Sequence, residues 1–290
     1  MSQPELLREL QLPQAHLSAA SALVRVAERL FVVADDELHL GLFDLGDPAP
    51  GRLVRLFEGS LPAEKKARKA AKPDLEALAL LPAMAGFAQG ALLALGSGST
   101  PDRQRGVLLG LTEQAAPRLI DLAPLYRPLH AQFADLNIEG GFLLGDEFLL
   151  LQRGNQGQAS NAAARYAWHA LRDWLLGTGA APAPRAIQRL ELGEVQGVAL
   201  GFTDGAALAD GRWLFSAVAE NTADSYNDGA CLGAVIGLVE ADGQVRRLAQ
   251  LAGRWKVEGI ALAADDSLLL VTDADDPLVA ASLLRLPLVL

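Results

Sequence analysis

Five oxygen-bearing side chains recur along this chain at long, nearly even intervals. They are Ser21, Glu76, Glu139, Gln196 and Glu258, separated by 55, 63, 57 and 62 residues. Each opens a short apolar run, and each is followed by Ala or Gly: Ala22, Ala77, Gly140, Gly197 and Gly259. An all-oxygen set without His or Cys suits a hard cation, and a wide ring with room for water suits Ca²⁺ better than Mg²⁺. Carboxylates about 6 Å apart repel by roughly 2–3 kcal/mol per pair at an effective dielectric near 20. Three such pairs reach roughly 8 kcal/mol, comparable with the whole stability of a domain. Either a cation or protons must therefore neutralise the set.

The elements that would gather these residues are short strands. Runs of apolar residues bounded by Asp, Gly and Pro clusters read as strands of buried sheets, as in Val257–Leu262, Ser267–Val271 and Ala281–Leu286. A repeat of roughly 40–60 residues, each unit rich in such strands, is the signature of a β-propeller. The expected fold is all-β, one domain over residues 1–290, with five blades. A six-bladed ring would need a further unit hidden within 155–195. The last blade runs out of chain after its third strand, so Glu5–Leu12 is expected to pair with Ser282–Leu286 and close the ring. Ala164, Trp168, Leu171 and Leu175 recur at a helical interval, which predicts a short helix around His169–Leu176. The small residue after each strand opening has a steric reason: inner strands crowd at the axis, where a sideways Cβ has little room.

Inner-strand openings and the loops after the second strands should converge on one mouth of the axial channel. That places Lys72, Arg105, Arg153, Asn155 and Lys256 around the ring, a set suited to a phosphate or carboxylate ligand. The same bases could equally be spent in ion pairs with neighbouring acids, which contribute little at a surface. Asp273, Glu220 and Asp224 come to the same rim, and Asp273 and Glu220 are the candidates to activate a water. The four histidines are scattered, and no Ser/His/Asp or Cys/His set is visible, which argues against a serine or cysteine hydrolase.

The bulk numbers narrow the partners. A formal net charge of −10 opposes nucleic-acid binding by the whole surface. One basic run, Lys65 to Lys72, departs from that balance. The single cysteine, Cys231, forms no internal disulfide framework. The N-terminal stretch carries charges where a signal peptide would need an apolar run, so none is expected, and no uncharged apolar run of about 18 residues exists to cross a membrane. A reducing cytoplasm is the expected compartment, and a protein partner stays open.

Five blades with Ser, Glu, Glu, Gln and Glu on successive inner strands resemble the calcium-activated apyrases, which are soluble nucleotidases. That resemblance implies an axial calcium held by Ser21, Glu76, Glu139 and Glu258, with Gln196 where that family has a serine. The Glu-Gly openings and the segment Val257–Asp276 also resemble the esterase-like phytase propellers. The expected function is a Ca²⁺-dependent hydrolase of a phosphate ester or similar small anionic substrate. The alternative is a non-catalytic propeller that binds a ligand or protein at the same mouth around a structural cation.

Overall fold

In a computed structural model of the chain, which describes residues 1–112, 115–158, 160–222 and 229–288, five antiparallel sheets follow one another along the sequence. Blade 1 runs Ala20–Val26, Arg29–Ala34, His39–Asp44 and Arg52–Arg55. Blade 2 runs Leu75–Leu81, Ala91–Gly96, Arg105–Gly110 and Arg118–Asp121. Blade 3 runs Ile138–Leu144, Glu147–Gln152, Asn161–Ala167 and Ala186–Leu190. Blade 4 runs Val198–Ala207, Trp213–Glu220, Cys231–Val239 and Val245–Gln250, with a two-residue strand, Glu194–Val195, added beside the first. Blade 5 has Lys256–Leu262, Leu268–Asp273 and Ser282–Leu286, and takes its outer strand, Glu5–Glu9, from the other end of the chain. The chain is a five-bladed β-propeller. The stretch 155–195 holds the outer half of blade 3, so no sixth unit is hidden there.

The strands are apolar on both faces because each blade is packed on both sides. In the second strand of blade 1, Leu30, Val32 and Ala34 face blade 5, while Phe31 and Val33 face blade 2. The same division repeats around the ring and yields five apolar cores, one between each pair of neighbouring blades. Three short helices interrupt the pattern: α1 (Lys65–Ala71), α2 (Ala123–His130) and α3 (Trp168–Leu175). The helix α3 matches the sequence periodicity and buries Leu171 and Leu175 in the core between blades 2 and 3. No described helix is long and apolar enough to cross a membrane.

The ring closes as its spacing requires. Glu5 pairs with Arg285, Leu6 with Leu284 and Glu9 with Ser282, antiparallel, with a bulge between Leu6 and Arg8. Arg8 reaches back to blade 1, donating to the carbonyls of Asp47 at 2.8 Å and Ala49 at 2.7 Å. Just beyond the strand, Leu10 and Leu12 enter the core between blades 5 and 1. Deleting residues 1–13 removes these two anchors and bares the edge of Ser282–Leu286. Losing two buried Leu side chains costs roughly 3–6 kcal/mol, so melting should fall by on the order of 5–10 °C with self-association through the new edge. Calorimetry and size-exclusion chromatography read both effects. A truncated protein with unchanged melting and monodispersity would contradict the closure.

Candidate functional site

Every inner strand carries a β-bulge, and the five bulges stand at equivalent places. The pairing register slips at Ser21, Glu76, Glu139, Thr203 and Glu258. A bulge removes one residue from the ladder and re-aims its side chain. Here it turns Ser21 and the three glutamates toward the axial channel, whose mouth they line. The residue after each bulge is small for a measurable reason. A Cβ on Gly259 would lie 2.9 Å from Ala22 Cα, and one on Gly140 would lie 3.2 Å from Asp204 Cα. Blade 4 breaks the rule with Asp204, whose carboxylate accepts from Ile260 N at 2.9 Å and Gly205 N at 2.7 Å. That buried group joins the inner strands of blades 4 and 5. Burial pushes its pKa well above the usual carboxylate range, against the pull of the two backbone donors.

Two sequence-based assignments need correction. Gln196 is not on the ring. It sits with Gly197 in a tight hairpin turn, both at positive φ (53° and 78°), and its amide donates outward to the Leu232 carbonyl at 3.2 Å. Blade 4 has a longer inner strand, so its Gln-Gly pair is a turn and the ring position falls at Thr203. The spacings then become 55, 63, 64 and 55 residues. Thr203 is fully buried and donates to Ser216 Oγ at 2.8 Å. The signal for it was a polar Thr-Asp pair inside an apolar strand. Arg105 also lies outside the mouth. It is exposed on the third strand of blade 2, donating to the Asp102 carbonyl and stacking on Phe57. The 3₁₀ turn Pro101–Arg103 delivers Arg103 inward instead.

The mouth is a cavity of about 480 Å³ that gathers Lys72, Arg153, Asn155 and Lys256 with Ser21, Glu76, Glu139, Glu220, Glu258 and Asp273. Asp224 lies outside the described residues. The bases are threaded between the acids. Lys72 bonds Asp35 and lies 2.8 Å from Asp74, which also takes Arg103 at 2.9 Å. Arg153 bonds Glu220 and lies 3.3 Å from Glu139 and 3.8 Å from Glu258. Lys256 is 3.6 Å from Glu258, 3.1 Å from Asp273 and 2.6 Å from Asp275. The basic run folds as α1, capped by Glu64, and Arg68 fastens it over the mouth to Asp36 and Glu37. The ring's repulsion is thus relieved in part from within. An attraction of about 4 kcal/mol at 4 Å in an effective dielectric of 20 outweighs one carboxylate pair at 6 Å.

Relief is incomplete. No hydrogen bond or ion pair from the described residues reaches the Glu76 carboxylate. Burial, then Glu139, Asp74 and Asp35, push its pKa well up. Glu258 Oε2 is buried without a hydrogen-bond partner. Burial pushes the Glu258 pKa up to about 8, with Arg153 and Lys256 opposing and Glu139 and Glu220 adding to the rise. Ser21 Oγ donates to the Leu75 carbonyl at 2.5 Å, so only its lone pairs are left for a ligand. The five-oxygen ring expected from the sequence is therefore not assembled. A different acidic trio is: Asp35, Asp74 and Glu76 present oxygens within 4.8 Å of one another.

The Glu258 shift makes a testable statement about stability. The folded chain holds a proton that the unfolded chain, with an ordinary value of 4.5, releases. That contribution is fully present below about pH 4.5 and is lost as pH rises through about 8. Urea midpoints in metal-free buffer should therefore fall between about pH 5 and pH 9, and Glu258→Gln should flatten the slope. A midpoint that rises over that range would contradict the charge arrangement.

No curated protein matches the sequence. Among solved structures, a putative oxidoreductase (glucose dehydrogenase) from Thermus thermophilus superimposes with a TM-score of 0.50 at 12% identity, covering 97% of this chain and 99% of that one. A hypothetical protein from Leishmania major follows at a TM-score of 0.47 and 9% identity, covering 98% and 89%. A putative gluconolactonase gives 0.45 and 10%, covering 93% and 75%. At such identities the likeness is one of fold. In sequence, residues 68–277 match the model of a family of unknown function, DUF6910, and the chain belongs to that family.

Proposed function

We propose that the axial mouth is a small-molecule site assisted by a hard divalent cation of the Ca²⁺ type, and that its reaction class is hydrolysis. The observation that carries this reading is Glu76: a carboxylate that lines the cavity, has no hydrogen bond or ion pair from the described residues, and is grouped with Asp35 and Asp74. Oxygen-only donors at that separation fit a hard cation. Lys72 holds Asp35 and Asp74 at present, so Glu76 is the oxygen a cation meets first. A cation bound there would polarise a phosphoryl or carbonyl oxygen. On the same lining, Asp273 and Glu220 are the carboxylates to take a proton from water. Burial raises Asp273, which brings its basicity nearer to neutral pH. The apyrase and phytase resemblances would make the substrate a phosphate ester. A phosphate must then displace a carboxylate from Arg153 or Lys256, since both bases are already paired.

A second reading is a non-catalytic ligand-binding propeller. It is favoured by the internal pairing, which neutralises much of the ring without any metal. Under either reading a lone, half-buried Cys231 fits a reducing cytoplasm, which we propose as the setting.

Metal analysis and thermal shift with Ca²⁺, Mn²⁺, Mg²⁺ and EDTA separate the two. The hydrolase reading expects Ca²⁺ at about a hundred times its dissociation constant to add roughly 2.7 kcal/mol of stability. That gain should vanish in Glu76→Gln, and a phosphate-ester and carboxylic-ester panel should show metal-dependent turnover. Melting indifferent to all three ions and to EDTA, with no turnover, would leave the binding reading alone.

A further inference from the structure

The charge of the ligand can be read from what the cavity leaves unsatisfied, taking the mouth as the ligand site argued above. Among the described residues, eleven Asp and Glu and six Lys and Arg side chains line it. Most of the bases are engaged by named partners. Arg68 is on Asp36 and Glu37, Lys72 on Asp35 and Asp74, Arg153 on three glutamates, and Lys256 on Glu258 and two aspartates. Arg103 is on Asp74 and Ser99, and Lys69 also has a partner. An incoming anion would have to break one of these pairs and leave a buried carboxylate exposed to further repulsion.

The least satisfied groups have the opposite sign. Glu258 is 4% exposed, lines the cavity, and keeps Oε2 without a hydrogen bond, Arg153 meeting that oxygen only in a long ion pair at 3.8 Å. Glu76 also lines it, with no hydrogen bond or ion pair from the described residues. A buried acceptor left unpaired is costly, and a charged donor relieves it best. The volume, about 480 Å³, greatly exceeds what a bare ion occupies. Among the described residues no phenyl, phenol or indole ring lines the cavity, so they supply no aromatic cage of the kind that recognises quaternary ammonium.

We propose that the ligand of the axial mouth is a small organic amine, protonated and carrying N–H donors, seated on Glu258 Oε2 and the Glu76 carboxylate. Glu139, already held by Asn137 and Arg153, stands beside them and adds negative potential. Glu76 also belongs to the acidic trio, so amine and divalent cation compete for it, and a bound cation should weaken the amine.

The test is calorimetric titration of the full chain with putrescine, spermidine, choline and orthophosphate. EDTA removes competing metal, and an ionic strength of about 0.15 M screens surface charge. The expected result is one site for spermidine or putrescine, with choline at least about tenfold weaker because it has no N–H to donate. Glu258→Gln, close to isosteric, should weaken amine binding roughly tenfold to a hundredfold, the equivalent of one charge-assisted hydrogen bond. Glu76→Gln is the second variant, and Asp210→Asn, an exposed acid outside the cavity, should leave affinity unchanged. Choline binding as tightly as the amines, phosphate binding in their place, or amine affinity unchanged in both Gln variants would overturn the proposal while leaving the mouth as a site. Silence of every probe, with no mouth variant altering metal or pH response, would overturn the mouth reading together with it.

Discussion

Everything at the functional end of this molecule follows from how closely five inner strands approach one axis. Gly259 and Ala22 belong to neighbouring blades, yet a Cβ on the glycine would sit 2.9 Å from the alanine Cα. At that separation the residue after the bulge must be small, or must bond to the next strand, as Asp204 does to Ile260 N. The bulged residue before it has one direction left, into the channel. Packing thus determines where the polar side chains point before any question of ligand arises. The five inter-blade cores and the Glu5–Glu9 closure hold the strands at that distance.

Aiming carboxylates at one another creates an electrostatic load, and the chain meets it with its own bases. Lys72, Arg153 and Lys256 each reach two or three acids. Their own positive charge is secured by the same contacts: burial works against the charged form of Lys72, but Asp35, Asp74 and Glu76 outweigh it and raise its pKa. The network leaves Glu76 without a hydrogen bond or ion pair from the described residues and Glu258 Oε2 without a hydrogen bond. A site built in this way favours a positive guest, whether ion or amine, and uses the guest to complete the balance.

The ring was legible because its constraint is periodic. Ser21, Glu76, Glu139 and Glu258 occur where a polar residue precedes a small one at an even spacing, and the structure puts all four on bulges. Blade 4 escaped because its small-residue position is filled by Asp204, while a Gln-Gly turn imitates the pattern seven residues earlier. Of the two arginines on the loop after the second strand of blade 2, Arg105 was taken as the ligand contact, but it is Arg103 that faces the mouth. The 3₁₀ turn that sends Arg103 inward leaves no periodic trace. The pairs that cross between blades were not legible either: Lys72 with Asp35, and Arg153 with Glu220 and Glu258. The helix α1, which brings Arg68 and Lys69 to the cavity wall, was visible only as an odd basic run in an acidic chain.

The most direct test of this account is the titration of Glu258 itself, followed by carboxyl-carbon NMR with assignment from Glu258→Gln, in metal-free buffer and again with a saturating cation. The account predicts a midpoint near 8 in the free protein, moving down when a cation enters the mouth, because the guest then carries the balancing charge that the proton supplied. A midpoint in the ordinary range near 4.5, unmoved by cations, would contradict a net-acidic, guest-seeking mouth.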